Sequence, residues 1–320
     1  MSKFPTNLLI LASLCSLLPG CGSEIEPPST ETGPPKVALI MKSLANEFFV
    51  NMASGAKQHQ AENSDRYELI VNGIKDESDL AQQVILVEQM IARGVDAIVI
   101  APADSKALVP VLKRARQAGL IIVNIDNKLD AAILQQSGIS IPFIGPDNRE
   151  GARVVAQHLA AELQAGDHVA IIGGIITAFN AQQRQLGFED AMRNAGMKIV
   201  SVQSGEWLQA KASAIASALI TEHPDLKAIL CSNDNMAIGA IAAIRQAGKS
   251  GEIRVVGFDN ISASHDLLRN GSLLATADQY GSQLATFGIG YALDILINNR
   301  VPADKKTPVD LVTVANLTSP

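Results

Sequence analysis

From Pro35 onward, short apolar runs alternate with amphipathic segments, and this alternation limits the fold more than any other feature of the chain. "KVALIMKS" precedes a helical pattern that starts near Asn46. "YELIVNGI" precedes residues 77 to 94, where Leu80, Val84, Val87 and Ile91 recur at helical spacing, and "DAIVIAPA" precedes "SKALVPVLKRARQAG". A second series opens near Ile139 and runs through "PDNREGARVVAQHLAAEL", "DHVAIIGG", residues 181 to 196, "MKIVSVQSG", residues 210 to 222, "KAILCSND", "MAIGAIAAIRQAG" and "IRVVGFDN". Near-continuous apolar strands interrupted by helices belong to parallel sheets covered on both faces. Gly94, Gly119, Gly196 and Gly248 stand where helices should end. Two such series predict an α/β protein of two similar, doubly wound parallel-sheet lobes.

Ligands of open parallel sheets bind beyond the carboxyl ends of the strands. The residues expected there are Asn46, Phe48 and Phe49 after the first strand, Asp126 and Asn127 after "LIIVNI", and Arg184 within "ITAFNAQQRQLGF". Trp207, the only Trp of the chain, lies beyond "SVQSGE". Asn233 and Asp234 end "ILCSNDN", Asp259 ends "VVGFDN" and Gln279 ends "LLATADQ". Taken singly, each has a structural reading: Asn and Asp cap helices or start turns, the Phe pair fills a helix face, Arg184 is an exposed helix charge and Trp207 packs under a loop. Taken together, amides, carboxylates and a guanidinium converge with three aromatic rings. That set suits a neutral polyhydroxyl ligand, with ring faces against its C–H surfaces and charge-assisted hydrogen bonds to its hydroxyls.

The 26 basic and 32 acidic residues give a net charge of −6, with no basic block, which disfavours nucleic-acid binding. No G-x-S-x-G elbow, phosphate-binding G-x-x-x-x-G-K-[ST] loop or H-E-x-x-H pair occurs, and the five His are scattered, so neither an enzyme nor a cofactor or metal is expected. The N-terminus carries Lys3 and an apolar run from Leu8 to Leu18, which reads as an export signal over residues 1–20. "LLPGC" resembles a bacterial lipobox that would make Cys21 the lipidated first residue; the alternative is an ordinary cleaved signal with an incidental Cys. Residues 21–35, rich in Pro, Ser, Thr, Glu and Gly, read as a flexible tether. Cys15 leaves with the signal, and Cys231, in "AILCSND", is a small buried filler.

Several motifs in combination carry a resemblance: "NEFFVNMASGAKQ", "GVDAIVIAPADSKAL", "NID", "QQRQLGFEDAM", "HPDLKAILCSNDNMAIGAIAAIRQAGKSGEIRVVGFDN", "LLATADQ" and "PVDL". From Lys36 to Leu317 the chain resembles the ribose-binding type of periplasmic sugar-binding proteins, whose ligand-binding core is shared with lactose-repressor-like regulators. The resemblance implies ligand contacts at Asn46, Phe48, Phe49, Asp126, Arg184, Trp207, Asn233, Asp259 and Gln279. It implies lobes of 36–146 plus 279–309 and of 147–278 plus 310–320, joined by three crossovers that hinge closed on a ligand. Ribose binders have Arg after the Asp of the fourth strand. This chain has Asn127 there, and Lys42, at a position usually small and polar, puts a cation back nearby. A pentose, a hexose or a sugar alcohol is therefore open. Glu189 is placed on the outer face of the helix that carries Arg184. The family role implied is a monomeric, membrane-tethered periplasmic lipoprotein that hands its sugar to an ABC permease and ATPase, the alternative being a sensor that presents the sugar to a membrane receptor.

Overall fold

The chain folds through β1 (Lys36–Ser43), α1 (Glu47–Glu62), β2 (Glu68–Ile74), α2 (Leu80–Ala92), β3 (Ala97–Ile100), α3 (Val109–Gln117), β4 (Ile121–Ile125), α4 (Ala131–Ser137) and β5 (Phe143–Pro146). The second series follows as α5 (Asn148–Ala160), β6 (His168–Gly173), α6 (Phe179–Asn194), β7 (Lys198–Ser204), α7 (Gln209–Glu222), β8 (Leu226–Cys231), α8 (Asp234–Gln246), β9 (Arg254–Val256), α9 (Ser262–Arg269) and β10 (Thr276–Asp278). The chain ends with α10 (Gly281–Asn298), β11 (Lys305–Thr307) and β12 (Asp310–Val312). This computed structural model describes residues 33–317, so the export signal, the lipidation of Cys21 and nearly all of the tether fall outside the described residues.

The first sheet has the order β11-β5-β4-β3-β1-β2, with every pairing parallel. The second, β7-β6-β8-β9, is also parallel, and a parallel bridge from Val256 to Ala275 leads to the antiparallel pair β10–β12. Both series thus place their first strand between their second and third, and reverse direction there. In sheets of this kind the crevice at that reversal lies at the carboxyl ends of the strands. The chain crosses between the sheets after β5, returns after β10 to build α10 and β11, and crosses again to lay β12 beside β10.

Central strands β1, β3, β6 and β8 are almost wholly buried, whereas the edge strands β2 and β7 are half-exposed. Separate apolar clusters cover the two faces of each sheet. On α2 the buried stripe is Gln83, Leu86, Val87 and Met90, one step round from the expected one. Gln83 is buried because its amide donates to the carbonyls of Met41 and Ala101 and accepts from Ala103 N–H, tying β1 to β3 at their carboxyl ends. Gly94, Gly119, Gly196 and Gly248 follow their helices with positive φ, as helix ends require. Cys231 is a buried free thiol on β8, and burial raises it.

Candidate functional site

A crevice lies where the strand ends of both sheets meet. It is lined by Lys42, Asn46, Phe48, Phe49, Glu77 and Asp126 from the first sheet's side, by Asn180, Arg184, Trp207, Asn233 and Asp259 from the second's, and by Gln279 between β10 and α10. Of the residues expected at the strand ends, all line it except Asn127 and Asp234. The Asn127 amide turns away from the cavity: its nitrogen donates to the carbonyl of Pro102, its oxygen accepts from Asn180 N–H, and Asn124 Nδ2 holds its carbonyl at 2.8 Å. Asp126, at φ 61°, makes the turn that sends the two side chains apart.

Asn46 and Asn233 have their structural reading, and both also line the cavity. Each caps a helix, accepting from Phe48 N–H and Met236 N–H respectively. Phe48 and Phe49 also serve twice. Their rings meet edge to face, 5.1 Å apart, within the core under α1, and both reach the cavity wall. Trp207 closes the opposite wall at φ 67°, and its ring occupies the space that a Cβ at Gly174 would need.

Arg184 is only 2% exposed. Its Nε donates to Asn148 Oδ1 at 2.8 Å, and its Nη1 to the carbonyl of Ser232 at 2.9 Å and to Asp259 Oδ1 at 3.3 Å. The guanidinium lies 3.7 Å from the centre of the Phe258 ring. Gln279 Nε2 donates to Asp259 at 2.7 Å. Across the cavity Lys42 Nζ stands 3.0 Å from Asp126 Oδ2, off the hydrogen-bonding direction, and 3.8 Å from Glu77 Oε2. It lies 5.7 Å from the ring centres of both Phe49 and Trp207. Lys42 is thus the cation on the first sheet's side, and it pairs with two carboxylates.

Glu77 and Asn180 were not foreseen. Glu77 sits in "KDESD" after β2, a run that reads as solvated loop charge. Asn180 precedes Arg184 by four residues on α6, the spacing that puts two side chains on one helix face, so it had a usable signal. Glu189 departs from expectation as well. It is 9% exposed and held by Gln185 and Arg193, because α6 packs along α5 as well as over its sheet.

Burial pushes the Glu77 carboxyl up to about 7 even though Lys42 opposes it. Asp259 is likewise pushed up to about 7 by burial, against the pull of Arg184. Behind the cavity, Asp234 accepts from Thr276 Oγ1 and Ile261 N–H and is pushed up to about 7 by burial and then by Asp259. Burial also holds Arg184 below its usual range. Raised carboxyls stabilise the fold fully below the unfolded value near 4, and that stability is lost as pH rises to about 7. The thermal midpoint of the ligand-free protein should therefore fall between about pH 5 and about pH 8, by roughly 2–4 °C for each kcal/mol lost. Scanning calorimetry across that range checks this, and Glu77→Gln should flatten part of the fall.

Among the described residues, the buried atoms with no protein hydrogen-bond partner include Glu77 Oε2, Asp126 Oδ2, Asn180 Oδ1, Trp207 Nε1 and Gln279 Oε1, all on residues that line this cavity. Buried polar groups are rarely left in that condition without a ligand or water to meet them. No cluster of three metal-ligating side chains occurs among the described residues.

Residues 37–300 match the family model for the periplasmic binding protein domain. The chain belongs to the periplasmic binding protein family. A family relative in Pseudomonas aeruginosa, the D-ribose/D-allose-binding protein, is 54% identical over 95% of this chain and 96% of its own. The ribose import binding protein of Escherichia coli is 30% identical over 87% of this chain and 90% of its own. Among solved structures, an ABC transporter solute-binding protein from Burkholderia multivorans superposes with a TM-score of 0.86 at 58% identity, covering 88% of this chain and 100% of its own, with an unidentified ligand represented as α-D-erythrofuranose. Another, from Actinobacillus succinogenes, holds D-allose and superposes with a TM-score of 0.83 at 33% identity, covering 88% and 98%.

Proposed function

We propose that this periplasmic binding protein is a non-enzymatic receptor for a monosaccharide, with D-allose and D-ribose as the leading ligands, and that it delivers the sugar to an ABC importer. The observation that carries the reading is the set of buried polar atoms without a protein hydrogen bond, Asn180 Oδ1, Trp207 Nε1 and Gln279 Oε1 beside the Lys42-paired carboxylates of Glu77 and Asp126, around a crevice walled by Phe48, Phe49 and Trp207. Three carboxylates and two cations line it, so the charges come close to cancelling and serve as donors and acceptors for a neutral ligand. The similarity to the Pseudomonas aeruginosa protein supports the choice of aldoses.

The ligand contacts in this reading are Lys42, Asn46, Phe48, Phe49, Glu77, Asp126, Asn180, Arg184, Trp207, Asn233, Asp259 and Gln279, with Asn127 moved out of the set. Lobes of 36–146 plus 279–309 and 147–278 plus 310–320 hinge at the three crossovers between the sheets. Residues 1–20 direct export, and lipidated Cys21 tethers the monomeric protein at the envelope. Mass spectrometry of the native N-terminus tests that anchor, and an unmodified start beyond Cys21 would remove it. The ligand is tested by a thermal-shift panel of pentoses, hexoses and polyols with amino acids alongside. A rise with D-allose or D-ribose, and recovery of the sugar chemically unchanged, is the expected outcome. Stabilisation by an amino acid and by no sugar would overturn the reading.

A further inference from the structure

Among the described residues, five helices, α3, α6, α7, α9 and α10, have no side-chain cap of their own, and two of them, α6 and α9, take acceptors from the other sheet's side instead. α6 has Ala178 and α9 has Ile261 at the N-cap, and neither gains a side-chain cap hydrogen bond there. By contrast α1, α2, α4, α5 and α8 are capped by Asn46, Asp79, Asp130, Asp147 and Asn233. The first N–H groups of a helix have no intrahelical partner and need an acceptor or water. Here the acceptors come from the other side of the molecule. Ser105 Oγ, between β3 and α3, accepts from Phe179 N–H at 2.9 Å, and Asn127 Oδ1, just after β4, accepts from Asn180 N–H at 3.1 Å. The first residue of α1 does the same for α9. The Glu47 carboxylate accepts from Ser262 N–H at 2.7 Å, from the Ser262 hydroxyl at 2.5 Å and from Ala263 N–H at 3.3 Å. Burial works to raise the Glu47 carboxyl, yet these hydrogen bonds outweigh it and hold it below the usual range.

We infer that Glu47, Ser105 and Asn127 are positioning residues for closure: the first-sheet side caps two helices of the second, so the closed form holds hydrogen bonds that opening must exchange for water. Neither Glu47 nor Ser105 lines the cavity. They act on affinity through the balance between closed and open forms, and a receptor that closes less readily binds more weakly by the same factor. The inference also gives Asn127 a role in place of ligand contact. It goes beyond the identity of the sugar, because any ligand that needs the closed form is held by the same caps.

The full chain is compared with Glu47→Ala, Ser105→Ala and Glu47→Gln by calorimetric titration of D-allose and D-ribose, stopped-flow dissociation and small-angle scattering. Each Ala variant should bind roughly two- to thirtyfold more weakly, the loss that removing one helix cap produces. The loss should appear as faster dissociation, with a larger radius of gyration at equal sugar concentration. Glu47→Gln, which keeps an acceptor oxygen, should recover part of it. The ligand-free thermal midpoint should stay at the native value, since in the open form these groups face water. Native affinity in Glu47→Ala, an affinity loss matched by a lower ligand-free midpoint, or no recovery in Glu47→Gln would each overturn the inference. A native chain that contracts only on another sugar overturns the choice of ligand, and the caps are then read with that sugar. A native chain whose dimensions no sugar changes overturns the caps themselves.

Discussion

Arg184→Met should weaken sugar binding by roughly two to three orders of magnitude while changing folding far less. Met keeps most of the volume over the Phe258 ring but removes the one cation on the second sheet's side of the cavity. Truncating one partner of a buried, hydrogen-bonded charge pair costs a complex roughly 2–5 kcal/mol, and the partner left behind here is Asp259. Asn148 Oδ1 and the Ser232 carbonyl also lose their donor. Folding is spared for two reasons. The substitution abolishes the burial penalty that already holds Arg184 below its usual range, and the Asp259 carboxyl, up at about 7, takes a proton readily. Calorimetric titration and a thermal melt separate the two quantities, with Glu222→Ala, exposed at the end of α7, as the control. Binding within threefold of that control would remove Arg184 from the centre of the site.

Lys42→Met should produce a deficit that depends on pH. Glu77 and Asp126 face one ammonium group, and without it two carboxylates share a buried space. Burial and the Asp126 charge both raise Glu77, while Lys42 is the partner that lowers it, so the variant's Glu77 carboxyl rises above about 7. At about pH 8 the cavity then carries uncompensated charge, or must be protonated at some cost, and affinity should fall by roughly ten- to a hundredfold. At about pH 6 Glu77 is already protonated, and the deficit should shrink severalfold. Titrations at the two pH values check this. An equal deficit at both would show that Glu77 does not respond to Lys42.

The alternation of apolar and amphipathic runs made both sheets legible, because a strand buried on two faces admits few polar residues. Strand ends were legible for the same reason: once β1, β4 and β8 are placed, Asn46, Asp126 and Asn233 just beyond them fall at the cavity. What failed did so where local backbone geometry decides direction. Asn127 follows Asp126 directly, yet the positive φ of Asp126 turns it away, toward the carbonyl of Pro102. Glu77 was hidden because a charge in a polar loop looks solvated until the fold lays that loop over Lys42. Glu189 is the opposite case: a charge expected on a free face is covered by the packing of α6 along α5, which its own helical position does not reveal. Asn46 and Asn233 cap their helices through the side-chain oxygen and also line the cavity, so the structural reading of a residue does not exclude a place at the site.

A crystal structure of the native chain grown with D-allose or D-ribose tests the central claim most directly. The account predicts one sugar ring between Phe48, Phe49 and Trp207, with hydroxyls within hydrogen-bond distance of Asp126, Arg184 and Asp259 and the Glu47–Ser262 contact intact. A sugar bound elsewhere, or a closed cavity filled by a molecule without hydroxyls against those three side chains, would contradict it.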